Sequence, residues 1–235
     1  MTNRVPSQMR WQILYLVAAF FFHALIVYWA TTRQQERLHF ENGWLENLQV
    51  LYLALAAAVF AVNGKVTVDR HRVLFYWLSM VSLLFIIREV EFGDLAIPAW
   101  MKFMLAGAGR AVFYVIAIAL FITMCRQFRE YWCNRRFYLH SSLFWYLAAS
   151  GFFLLAFSLT LDRQFFDITH YQLLEEASEA IAYVLWLGAA LFGSFGIKRS
   201  YPFSAIQKHY RSGDNGLELP FQFDAGFQPP QKHNR

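Results

Sequence analysis

Cysteine is nearly absent from this chain. Cys125 and Cys133 are the two present, so at most one bridge is available, and no C-x-x-C metal spacing occurs. Cys125 closes an apolar run and reads as a packing residue. Charge is also scarce: 16% of residues are Asp, Glu, Lys or Arg, against about 25% in an ordinary domain. That excludes a soluble globular protein when set beside a hydrophobic content of 57%. There is no G-x-S-x-G, H-E-x-x-H or Walker sequence, and GAGR (107–110) reads as a small-residue helix start, not a phosphate loop. No A-x-A site follows the first apolar run, which is about 20 residues long, so it reads as an uncleaved anchor and not a signal peptide. No apolar segment alternates with period two, which excludes a membrane β-barrel.

What remains is a set of long apolar intervals bounded by charges. Six are bracketed by Arg10 and Arg33, Glu46 and Lys65, Arg72 and Arg88, Arg110 and Arg126, Arg136 and Asp162, and Glu179 and Lys198. Each reads as a transmembrane helix. With the N-terminus inside, fifteen of the 21 Lys and Arg fall in inner segments and five in outer ones. The positive-inside rule therefore predicts an all-α integral membrane bundle of six spans with both termini cytoplasmic. The net charge of +5 faces the anionic inner leaflet, and no nucleic-acid partner is needed to explain it. Residues 1–199 form the six-helix domain. From 200 to 235 the chain is polar, carries Gly and Pro, and reads as a flexible cytoplasmic tail.

The carboxylates are sorted the other way. Eleven lie on the outer side, and eight of them cluster into ENGWLEN (41–47), REVEFGD (88–94) and EEASE (175–179). Fifteen residues separate Arg72 from Arg88, about 22 Å of helix against about 30 Å of hydrocarbon. Arg88 and, by the same measure, Arg110 start below the outer surface. A charge facing lipid there is costly, and a short glutamate side chain snorkels poorly. The cheaper arrangement turns these groups inward to pair or to line a wet cavity. Arg88 and Glu91 are i,i+3 neighbours, as are Glu176 and Glu179, while Glu175 and Glu179 are i,i+4. Thr169 with Gln172 resembles a capping box. The expected site is polar, open to the outside and shared by the second, third, fourth and sixth spans.

His23 lies mid-span without a matching histidine at its depth and reads as a packed side chain. His39 and His170 sit at the level of the acids and are the candidate metal ligands, with Glu46, Glu91 and Glu179, for a divalent cation. The order E-N-G-x-x-E-N (Glu41 to Asn47), R-E-x-E-F (Arg88 to Phe92), L-D-R (Leu161 to Arg163) and E-E-x-x-E (Glu175 to Glu179) resembles a loose group of uncharacterised bacterial multi-pass inner-membrane proteins. The resemblance implies a bacterial inner-membrane location and carries no activity with it.

Three functions fit this pattern. In the first, the site binds or processes a lipid-linked or amphiphilic substrate. Arg88 and Arg110 hold an anionic head group, and Glu41, Glu89, Glu175 and Glu176 line the site. Glu46, Glu91 and Glu179 act as general acid or base, or as ligands for a hard cation. The second is an ion- or proton-coupled small-molecule carrier in which the same carboxylates titrate. The third is a non-catalytic membrane subunit that anchors a protein partner.

Overall fold

The computed structural model describes residues 7–33, 44–67, 71–90, 92, 96–133, 135–158 and 171–198. Among them every regular element is helical: α1 (Ser7–Arg33), α2 (Trp44–Val66), α3 (His71–Glu89), α4 (Ala99–Leu105), α5 (Arg110–Arg126), α6 (Phe128–Cys133), α7 (Arg135–Leu139), α8 (Ser142–Phe152) and α9 (Tyr171–Lys198). The tail from 200 to 235 lies outside the described residues.

Among the described residues three helices are long and apolar enough to cross a membrane: α1 over Met9–Trp29, α2 and α3. A fourth is added if α4 and α5 count as one broken span. Two of the six expected intervals carry features beyond the expectation. The fourth is a helix from Arg110 to Arg126, as expected. α4 precedes it at a bend of 41°, because the chain folds tightly at 106–109. Gly109 Nα bonds Phe103 O at 3.1 Å, and a Cβ on Gly109 would lie 2.5 Å from Met104 Cα. Only glycine fits that approach, although its φ of −59° is ordinary. The fifth interval holds α8, of 11 residues, which continues as a π-helical segment, Phe153–Ser158. A π turn widens the helix by one residue. The last helix begins at Tyr171; Thr169, the expected cap, lies outside the described residues.

The helices differ sharply in burial, and that fixes the layout. α9 is central: Ala180, Ala182, Tyr183, Ala189 and Ala190 are fully enclosed. It packs on α8, α2 and α1, while α2 also packs on α3, and α3 on α5. α1 and α5 are peripheral. Only 6% of the α1 span is buried, and α5 buries Ala117 alone among its described side chains. Their outer faces carry Leu14, Val17, Phe21, Val115 and Ile118, as a lipid-facing surface should.

Side chains that reach the backbone of the next helix join the core. Asn63 Nδ2 donates to Ala190 O at 3.1 Å. Ser79 Oγ donates to Ala57 O at 2.9 Å and Ser150 Oγ to Ala182 O at 2.7 Å. Tyr15 Oη donates to Val184 O at 2.6 Å. Such bonds act between helices where apolar burial offers little gain over lipid. At the start of α3, Tyr138 Oη and His71 Nδ1 share a hydrogen bond of 2.7 Å. Burial, reinforced by Tyr131, holds this hydroxyl above its ordinary value, so it stays neutral.

Close approach of α9 to α8 and α1 depends on Gly188. A Cβ there would lie 2.6 Å from Tyr146 Cε1 and 3.0 Å from Tyr15 Cε1. We expect Gly188→Val to destabilise the protein by about 1–3 kcal/mol through overpacking. Gly151→Ala, with open space around the added carbon, should be neutral or stabilising by up to about 1 kcal/mol. Thermal unfolding in lipid nanodiscs compares the two.

Candidate functional site

The first turns of α2 and α9 and the last turn of α3 lie at one end of the bundle. α2 and α3 run antiparallel, and α9 enters beside α2. This places Glu46 and Gln49, then Arg88 and Glu89, then Glu175, Glu176, Glu179 and Tyr183 on helices that pack together.

Arg88 is the hub. Its Nη2 donates to Glu179 Oε1 at 2.6 Å, and its Nε sits 2.9 Å from Glu89 Oε1. Tyr183 Oη donates to the same Glu89 oxygen at 2.7 Å. The two glutamate side chains are 8% and 9% exposed, whereas that of Arg88 is 54% exposed. The guanidinium thus caps two enclosed carboxylates. Glu89 is the last residue of α3, where the helix dipole disfavours an anion. Arg88 and the Tyr183 hydroxyl offset that cost. The Arg88–Glu179 bond ties α3 to α9 across 91 positions of sequence.

A second contact ties α2 to α9. Gln49, fully enclosed, uses Nε2 to donate to Glu176 Oε2 at 2.8 Å and to Glu176 O at 3.1 Å. Its Oε1 is buried and accepts nothing. Glu176 is within electrostatic range of Glu179, Glu46 and Glu89; among the described residues no cation bonds it.

Beneath these groups lies a floor of rings. Phe85 packs against Tyr183 and Trp186 at centroid distances of 5.7 and 5.6 Å, and Trp186 meets Phe60 edge-on at 6.2 Å. Trp186 Nε1 donates to Ser82 Oγ at 2.7 Å, and Ser82 Oγ in turn donates a hydrogen bond to Leu78 O at 2.9 Å. The polar end is therefore sealed from the middle of the bundle by aromatic side chains whose polar atoms are satisfied. On the far side of α9, a groove of about 450 Å³ is lined by Phe20, His23, Phe153, Ala177, Ser178 and Ile181 among others. His23 is a packed residue there, 1% exposed, with Nδ1 on Ala19 O at 2.7 Å.

The expected site residues separate into three sets. Arg88, Glu89 and Glu179 meet, Glu176 bonds Gln49 one turn from Glu179, and Glu46 and Glu175 are half-buried on the same helix ends. Arg110 does not join them: its Nε donates to Leu105 O across the α4–α5 bend, so the fourth helix shows no ion pair to the cluster among the described residues. Glu41, Glu91, His39 and His170 lie outside the described residues. The argument that placed Glu91 with Arg88 required the helix to continue, and α3 ends at Glu89. Among the described residues no group of three or more His, Cys, Asp or Glu is placed to hold a metal ion. Tyr183 was not anticipated. Its spacing of i+4 from Glu179 puts it on the acid face, but in the sequence it is one aromatic among many.

Comparison with family models, curated proteins and solved structures finds no match to this chain.

Removing Arg88 alone should be worse than removing the pair. We expect Arg88→Met to cost about 3 kcal/mol, the low end for a broken buried pair because the guanidinium is half exposed. Adding Glu179→Gln should recover at least half of that loss. A double-mutant cycle in thermal unfolding reads the coupling.

Proposed function

We propose that this chain is a multi-pass protein of the bacterial inner membrane whose polar end binds or processes an amphiphilic or lipid-linked substrate at the outer leaflet. The observation that carries this reading is the Arg88–Glu179 bond, which joins two helices through ionised groups at one level. Charge held inside a helical membrane bundle is rare and marks functional sites. The lipid bilayer is the medium of the site and the source of its substrate.

The proposed topology has six spans with both termini cytoplasmic. Beyond the three or four helices noted above, it counts α8 with its π segment and α9. At 28 residues, α9 is about 42 Å long, enough to cross and extend above the membrane. Glu179 is nineteen positions from Lys198, about 28 Å along the axis, and so sits just inside the outer boundary. Glu176 lies one turn higher, at head-group level.

A coupled carrier fits less well. Such a protein needs a titratable route inward, and the ring floor of Phe85, Trp186 and Phe60 stands in that direction. Below it the buried polar groups Asn63, Ser79 and Ser150 are committed to backbone carbonyls.

Two measurements test the reading. Cys125 and Cys133 are exposed thiols on the inner side of the proposed topology. A membrane-impermeant maleimide should leave intact spheroplasts unlabelled and react after permeabilisation; labelling of intact cells would refute the orientation. Mass spectrometry of protein purified in native-lipid nanodiscs should find one amphiphile class enriched in the wild type. That enrichment should fall at least tenfold in the Arg88→Met/Glu179→Gln double variant, and identical lipid profiles would overturn the substrate reading.

A further inference from the structure

The groove on the far side of α9 has a histidine in its wall whose hydrogen bonding is incomplete. His23 is 1% exposed and lines the groove with Phe20, Phe153 and Ser178. Its Nδ1 meets Ala19 O at 2.7 Å. A carbonyl oxygen only accepts, so Nδ1 carries the proton, and in the neutral ring Nε2 is an acceptor. That Nε2 is buried and has no hydrogen-bond partner. An imidazolium would leave a buried N–H and a charge unanswered, which is worse. Ser178 is also buried, and its Oγ donates to Leu174 O at 2.7 Å. Its hydroxyl therefore has only acceptor capacity left. His23 lies thirteen positions from Arg10, about 20 Å along α1. At that depth in a bilayer there is no water to donate in place of protein, and a buried acceptor without a donor costs free energy.

A second feature marks the same place. Phe153, the first residue of the π-helical segment, lines the groove, and its ring meets that of Phe20 at 6.2 Å. Single π turns within α-helices recur at functional sites. The groove volume of about 450 Å³ lies within the range of small-molecule sites, about 300–1,000 Å³. None of the described residues lining it is an acid, a lysine or an arginine.

We infer that this groove is a binding site, separate from the Arg88 cluster, for a lipid-soluble phenol whose O–H donates to His23 Nε2. The buried wall can accept but not donate, so esters, ethers and ketones, which only accept, find no partner there. An ammonium or a carboxylate would enter a mid-membrane groove with no opposite charge. A phenol is neutral, donates one O–H, and brings a ring that packs edge-on or offset against Phe20 and Phe153. An aliphatic alcohol has the donor but not the ring.

The test uses the full-length wild type in phosphatidylcholine nanodiscs with three probes, each scored against its mole fraction in the lipid: 4-nonylphenol, its methyl ether 4-nonylanisole, and dodecanol. Saturable binding of the phenol should be tighter than that of the ether by a factor of about ten, the worth of one hydrogen bond. His23→Phe keeps a ring and removes the acceptor, so it should bring phenol binding down to the level of the ether. The same variant should unfold at no lower temperature than the wild type, because an unanswered buried acceptor is gone. Equal binding of phenol and ether, or no saturable binding of either, would overturn the inference. Dodecanol binding as tightly as the phenol would overturn it too, by making the ring irrelevant. Phenol binding undiminished in His23→Phe would place the ligand elsewhere and refute the site. The comparison of phenol with ether is read on the wild type, so it decides even if the variant fails to fold.

Discussion

Everything at the polar end depends on the need to neutralise a guanidinium and two carboxylates that lipid will not solvate. Water is absent from the hydrocarbon, so each ionised group must find its counterpart within the protein. Arg88 meets that demand for Glu89 and Glu179 together, and in doing so it fixes the rotation of α3 relative to α9. The register set there propagates. Tyr183 is held one turn below Glu179, and its ring becomes the first tile of the aromatic floor. Gln49 then locks α2 onto the same end of α9. Further down, the helices are joined by weaker bonds from serine, asparagine and tyrosine to backbone carbonyls, each worth on the order of 0.6 kcal/mol in a membrane setting. The strong contacts are local and the weak ones are distributed.

This division separates the site from the scaffold. The charged end is one layer thick, with satisfied rings below and open half-exposed arginine above. A layer so thin suits recognition of a group that arrives from the membrane surface. It suits transit across the bilayer poorly, since transit needs a succession of sites. The chemistry available is therefore that of carboxylates beside a single fixed cation, which the proposed topology would put at head-group depth.

Much of this was legible in the sequence, and for a physical reason. Span length is a ruler: fifteen residues between Arg72 and Arg88 leave a helix too short for the guanidinium to reach water unaided, so its partners had to come from other helices. That reasoning brings Arg88, Glu179 and Glu176 together without coordinates. It is blind at helix ends. α3 stops at Glu89, and Glu91 lies outside the described residues. It fails also for Arg110, where a glycine-dependent fold at 106–109 gives the guanidinium a carbonyl close by in the chain. Tyr183 and the π segment after Phe152 were invisible because apolar and aromatic runs in a membrane helix carry little period; lipid and core accept the same side chains. The tail and the outer loop around Glu41 and His39 lie outside the described residues.

The unequal lengths of the helices have a mechanical consequence. α9 has 28 residues and α5 has 17, about 42 Å and 26 Å. The long helix can protrude or tilt, but the short one stands at the periphery with its sides facing acyl chains. Lipids beside α5 must compress to match it, at a fraction of a kcal/mol per ångström. In the proposed six-span topology the leaflet would thin on the α3–α5 flank, beside the helix that bears Arg88. Head groups there would ride lower than elsewhere, which would shorten the vertical distance between an incoming polar moiety and the acids and favour thinner membranes.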